Sequence, residues 1–266
     1  MQQSAIDILC EQQCELGEGP FYCSRRDTVF WFDILAKKRH AYDFSTDTKS
    51  VLLLPEMASA MAVIDDRTDL ILTESGLWSL SVATGAFAPV ASIEADDETT
   101  RSNDARVHSS GAFWVSTMGK NAEPNAGAIY HFRRGKLTKL FSDVTIPNSI
   151  CFAPDGATAY YTDNVTQKLM TVDADPDTGL PTGEPRVLVD HSGQKGGLDG
   201  AIVDTDGNIL IALWGAGQLN HYAPNGTLIN TIRVPVTQPT CSAFVGKNKI
   251  VVTSARRGMN TAAKIC

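Results

Sequence analysis

Gly17-Glu18-Gly19-Pro20-Phe21-Tyr22 sets a carboxylate between two glycines and follows it at once with an apolar pair. Alone, the stretch reads as a charged loop entering a strand. Its meaning comes from recurrence. A polar residue, three positions of mixed character and a hydrophobic residue return in Ser59-Ala60-Met61-Ala62-Val63, Asn103-Asp104-Ala105-Arg106-Val107 and Asn148-Ser149-Ile150-Cys151-Phe152. Asp199-Gly200-Ala201-Ile202-Val203 and Thr240-Cys241-Ser242-Ala243-Phe244 complete the series. A second apolar run begins about 10 or 11 residues after each polar residue, from Val29-Phe30-Trp31-Phe32 to Ile250-Val251-Val252. Successive units start roughly 41 to 51 residues apart, the period of a repeat architecture.

Each unit continues with two further short alternating segments, such as His40-Ala41-Tyr42-Asp43-Phe44 and Ser50-Val51-Leu52-Leu53-Leu54. Four short strands punctuated by Gly, Asp and Asn make a propeller blade. In a closed repeat, equivalent positions meet around the axis. Glu18, Asn103, Asn148, Asp199 and Thr240 are therefore expected to face one another. The sixth unit breaks the pattern, because no third strand is legible between Arg257 and Cys266. Upstream of the first unit, Ala5-Ile6-Asp7-Ile8-Leu9 alternates weakly and is expected to add a strand.

Composition narrows the function. The 266 residues suit one large all-β domain, with 43% hydrophobic and 20% charged residues. A net charge of −7 and a pI near 5.2 speak against nucleic acid or an anionic membrane as partner. The opening Met1-Gln2-Gln3-Ser4-Ala5 has neither a basic nor an apolar signal region, and no apolar run approaches a membrane span, so a cytoplasmic protein is expected. Cysteines 10, 14, 23, 151, 241 and 266 follow no disulfide or zinc spacing and read as reduced thiols, several in the core.

Other polar clusters have bland readings. Lys37-Lys38-Arg39 is expected to be a solvated turn. Glu94-Ala95-Asp96-Asp97-Glu98 and Asp173-Ala174-Asp175-Pro176-Asp177-Thr178-Gly179 are acidic, but neither has the spacing of an EF-hand loop. The insertion from Lys120 to Gly127 is expected on the rim that carries the polar residues, where a substrate loop belongs. The five scattered histidines read as surface or packed residues, and no serine sits in a nucleophile elbow.

Glu18, Asn148 and Asp199 remain as a set of hard oxygen donors suited to Ca²⁺, Mg²⁺ or Mn²⁺ and able to hold Zn²⁺. Three protein ligands leave positions open for water and substrate. With no side-chain nucleophile in evidence, water is the expected nucleophile.

Leu16-Gly17-Glu18-Gly19-Pro20, Arg101-Ser102-Asn103-Asp104, Pro147-Asn148-Ser149, Leu198-Asp199-Gly200 and Thr253-Ser254-Ala255-Arg256 together resemble the family of senescence marker protein 30, gluconolactonase and luciferin-regenerating enzyme. The resemblance runs from about Leu9 to Met259 with its motifs in the family's order; Ala105 stands where the family usually has Gly. It implies a single-domain six-bladed β-propeller over 1–266, here with its sixth blade incomplete at the C-terminus. It also implies one divalent metal, Ca²⁺ foremost, held by Glu18, Asn148 and Asp199, with Arg101 and Asn103 contacting substrate. The implied activity is hydrolysis of a sugar lactone to its aldonic acid, with Asp199 doubling as the base for water. Phosphotriester hydrolysis on the same scaffold, or a non-catalytic calcium-binding propeller, are the alternatives. The incomplete blade further suggests an open edge and self-association through it.

Overall fold

The computed structural model describes residues 6–259. The expectations for Met1–Ala5 and for Cys266 fall outside them. The described residues are all strand, turn and loop, and no helix among them is long and apolar enough to cross a membrane.

Five four-stranded antiparallel sheets follow one another along the chain. The first is β1 (Gly17–Cys23), β2 (Thr28–Asp33), β3 (Lys38–Asp43) and β4 (Thr48–Leu53). The second is β5 (Ala58–Val63), β6 (Thr68–Thr73), β7 (Gly76–Ser81) and β8 (Phe87–Ser92). The third is β9 (Thr100–Val107), β10 (Phe113–Gly119), β11 (Gly127–Arg133) and β12 (Lys136–Val144). The fourth is β13 (Pro147–Phe152), β14 (Thr158–Asp163), β15 (Lys168–Asp173) and β16 (Arg186–Asp190). The fifth is β17 (Gly197–Val203), β18 (Ile209–Trp214), β19 (Gln218–Tyr222) and β20 (Leu228–Arg233). A two-stranded sheet, β21 (Pro239–Val245) and β22 (Lys249–Ser254), ends the chain's regular structure.

The first strand of each sheet lies innermost, beside the first strands of its neighbours, and β21 packs on both β17 and β1. Burial decreases outward. The second strands β2 and β10 are buried at every position, because blades cover both of their faces, whereas β4 and β20 are almost wholly exposed. This explains why the second runs read as continuous apolar stretches rather than as alternation. The core lies between blades, as in the cluster joining Phe30, Phe32 and Ile34 of the first to Met61 and Ile71 of the second.

The structure corrects the expected six-bladed ring. It has five blades, and the last sector holds only the hairpin β21–β22. Past Ser254 the chain makes one isolated bridge, Leu16 to Ala255, and then turns through Met259, so β22 gains no third strand among the described residues. The ring of inner strands nevertheless closes. Thr240 Oγ1 donates to the Gly17 carbonyl at 2.5 Å, and Arg256 N donates to the Glu15 carbonyl. The expected strand at Ile6–Leu9 is absent too. Ile6 and Ile8 are 51% and 61% exposed, and residues 6–9 line a cavity with Ile250, Val251 and Val252 of β22 without joining its ladder.

Arg39 is not in a solvated turn. It stands on β3 with its side chain 14% exposed, bonded to Asp69 of the next blade at 3.1 Å. Arg26 holds the same carboxylate at 2.6 Å, and both guanidiniums lie 4.9 Å from the Phe30 ring centroid. A fully buried Asp69 draws the charged end of that lysine–arginine run inward. Cys14, Cys23, Cys151 and Cys241 are buried and unbridged, as expected of reduced core thiols.

Candidate metal centre among the inner-strand bulges

Every inner strand breaks register at the same place. In β1 the pairing skips from Glu18 opposite Phe32 to Phe21 opposite Phe30; in β13 it skips from Asn148 opposite Thr162 to Cys151 opposite Tyr160. Equivalent breaks fall at Ser59, between Ser102 and Ala105, between Leu198 and Ala201, and between Pro239 and Ser242. Each is a β-bulge, which bends the strand and re-aims one side chain. The repeated polar residue of the sequence is thus the bulge residue, and its period of recurrence is the period of the bulge.

Close backbone approach explains the small residues that follow. Gly19 has φ +54°, and a Cβ there would stand 1.9 Å from the Ser59 carbonyl oxygen. A Cβ on Gly200 would stand 2.4 Å from Cys241 Sγ. Ser149 adopts φ 55° without being glycine, and its hydroxyl donates to the Asp199 carbonyl at 2.5 Å. That bond links blade four to blade five and offsets part of the roughly 1–2 kcal/mol cost of the left-handed conformation.

The bulges do not all serve one purpose. Asn103 Nδ2 donates to Asn148 Oδ1 at 3.0 Å and to the Pro147 carbonyl at 2.8 Å, while Arg101 Nη1 donates to Asn103 Oδ1 at 2.9 Å. This relay fixes both amide orientations and leaves Asn148 Oδ1 one free lone pair. Glu18 and Asp199 share the same region, as their mutual electrostatics show. Ser59 and Thr240 instead bond to neighbouring inner strands, Ser59 to Ser102 Oγ at 2.9 Å and Thr240 to Gly17.

Charge is concentrated here. Burial, then the nearby Asp104 charge, pushes the Glu18 carboxyl up to about 8; the Gly19 N–H and Arg101 act against this. Asp199 is raised well above the carboxylate range by burial and by the charges of Glu18 and Asp104. Burial pushes Asp104 up to about 6, with Arg106 and the Ile150 N–H holding it down. Arg101, 3% exposed, is brought down to about 10 by burial. Neither Glu18 nor Asp199 makes an ion pair among the described residues. Two electrostatically coupled carboxylates in no ion pair among the described residues, with the Asn148 amide held by the relay on the bulge that Ser149 ties to Asp199, have the donor chemistry of a hard divalent ion.

Asp104 and Arg106 are the residues that sequence reasoning passed over. Their signal was an acid and a base at the mixed positions of the frame, where the other units have small or apolar residues. The loop from Lys120 to Ala126 lies on the same rim as Arg101, as expected of that insertion. Lys120 N donates to the Thr99 carbonyl, and Lys120 Nζ meets Glu74 at 2.7 Å. The buried Arg101 Nε has no hydrogen-bond partner among the described residues.

The chain has known relatives. A protein of Rhizobium meliloti (strain 1021), provisionally named a sugar lactone lactonase, is 45% identical over 96% of this chain and 87% of its own length. The L-arabinolactonase of Azospirillum brasilense is 30% identical, covering 95% of this chain and 85% of that protein. The crystal structure of a calcium-binding protein, regucalcin, from Agrobacterium tumefaciens superposes with a TM-score of 0.94 at 44% identity, over 96% of this chain and 87% of that one. The family model described as SMP-30/Gluconolactonase/LRE-like region matches residues 16–256, and the chain belongs to that family.

Proposed function

We propose that the protein is a metal-dependent lactonase acting on a sugar lactone, with Glu18, Asn148 and Asp199 holding one divalent ion. The observation that carries this reading is the pair of mutually repelling carboxylates, in no ion pair among the described residues and only partly offset by Arg101, together with the Arg101–Asn103–Asn148 relay. The relatives named as lactonases support the substrate class, and the relative described as calcium-binding supports Ca²⁺ as first choice of ion.

When bound, the ion supplies a Lewis acid for the ester carbonyl. The chain's own residues do the rest. Arg101, whose Nε has no partner among the described residues, donates to the sugar hydroxyls, and Asn103 offers the remaining lone pair of Oδ1. A carboxylate oxygen of Asp199 takes a proton from the attacking water as the new C–O bond forms. The ring C–O bond then breaks, and that proton passes to the departing alkoxide, leaving the open-chain acid. This polar, donor-rich site suits a polyhydroxylated lactone better than an apolar phosphotriester.

The test is to strip the protein of metal and restore Ca²⁺, Mn²⁺, Zn²⁺ or Mg²⁺ separately against a panel of aldonolactones, following acid release. Turnover should return with metal and fail in Glu18→Gln and Asp199→Asn. Undiminished hydrolysis by the stripped protein would sink the reading.

A further inference from the structure

Arg106 stands two residues beyond Asp104 on β9, and its side chain leaves its own blade altogether. Nη2 donates to the Ala201 carbonyl on β17 at 2.9 Å, and Nε donates to the Ile150 carbonyl on β13 at 3.5 Å. Nη2 also lies 3.6 Å from Cys241 Sγ on β21. Since β13 separates β9 from β17 in the ring, the guanidinium reaches past its neighbouring strand and contacts three other inner strands.

The two carbonyls it holds are not arbitrary. Ile150 lies two residues after Asn148, and Ala201 two residues after Asp199, so each belongs to the exit of a bulge that carries a candidate ligand. Bulges lose ladder hydrogen bonds and need other restraints. Asp104 Oδ2 accepts from the Ile150 N–H at 2.7 Å, so β9 grips Ile150 by both of its backbone polar groups. Between the bulges themselves there is one further tie, the Ser149 hydroxyl on the Asp199 carbonyl. A guanidinium is a rigid planar fork that holds two acceptors at a set separation, whereas an ammonium on a flexible stem does not.

We propose that Arg106 is a positioning residue: it sets the spacing between the Asn148 and Asp199 bulges and thereby the affinity of the site for its divalent ion. This rests on the metal reading given above. Arg106 bonds to the backbone beside the Asn148 and Asp199 bulges and not to the candidate ligand side chains, so its action is read in metal affinity, not in chemistry alone.

The experiment uses metal-stripped wild type, Arg106→Lys and Arg106→Met. Each is titrated with Ca²⁺ by calorimetry and with Mn²⁺ by water-proton relaxation, well below its own unfolding temperature. Both variants should bind each ion roughly 10–100-fold more weakly, the range found for residues that orient metal ligands. Lysine should not rescue, although it keeps the charge. A residue that merely staples blades would lower the unfolding temperature and leave the affinity of the folded protein unchanged. That result in Arg106→Lys overturns the proposal, and it decides the matter alone should Arg106→Met fail to fold. Wild type that binds neither ion would instead refute the metal reading, and this proposal with it.

Discussion

Neutralising Glu18 should make the metal-free protein more stable while making it useless as a metal binder. The Glu18 carboxyl is pushed up to about 8 in the fold from an ordinary 4.5, so the metal-free fold retains a proton that the unfolded chain has released. Between those values the unfolded state binds fewer protons, and stability falls as pH rises. At pH 7 the cost reaches about 3 kcal/mol as an upper figure. Asp199 shares the same repulsion, so removing one charge should recover roughly 2–3 kcal/mol, or about 4–12 °C in a chain of this size. Thermal unfolding in chelator across pH 5 to 8.5 is the assay. Wild type should lose stability as pH rises, and Glu18→Gln should unfold higher and with a flatter pH dependence. Added Ca²⁺ should reverse the order, stabilising wild type by about 2.7 kcal/mol at a hundred times Kd and leaving the variant unmoved. A metal-free Glu18→Gln that melts below wild type at pH 7 would refute the reasoning.

Arg101→Ala should retain its metal by calorimetry yet lose roughly tenfold to a hundredfold in kcat/KM, since it removes charged donors from the substrate side. Asp69→Asn breaks a buried carboxylate held by two arginines and should cost roughly 3 kcal/mol, seen as an unfolding temperature lower by roughly 6–12 °C. Its lactone turnover at 25 °C should match wild type, because the Asp69 cluster lies at the other end of the strands from the bulges. Gly19→Ala puts a Cβ 1.9 Å from the Ser59 carbonyl, so a loss of at least about 3 kcal/mol together with weakened Ca²⁺ binding is expected by denaturation and titration.

Much of this architecture was legible because it repeats. A polar residue followed by an apolar run recurs at each bulge, and each second run is continuous because blades cover both its faces. Glu18, Asn103, Asn148 and Asp199 could be picked out on that frame. What the frame could not reveal is how the polar residues divide their work. Ser59 and Thr240 occupy the same position yet spend their hydroxyls on neighbouring strands, a matter of distances that no spacing encodes. Arg106 escaped notice because its partners are carbonyls, which every residue has. Arg39 was misplaced for a related reason: a basic run reads as solvated until an acid 30 residues on, Asp69, proves to be buried against it. The blade count failed where the repeat itself stopped, since six inner strands do not require six complete sheets.

The bond from Thr240 to the Gly17 carbonyl joins residues 223 apart in the chain. It has a consequence for the order of assembly. Glu18 sits on β1, early among the described residues, yet Asp199 lies on β17, and the strand that seals β1 against β17 is β21. Blades one to five can each gather from local hairpins, a fast process, but the loop that closes the ring is among the longest the chain can make, and its entropy is lost before its contacts form. During synthesis Glu18 should therefore remain apart from Asp199 until β21 docks. The capacity to bind a divalent ion should appear late and all at once, as the final event of folding rather than its seed.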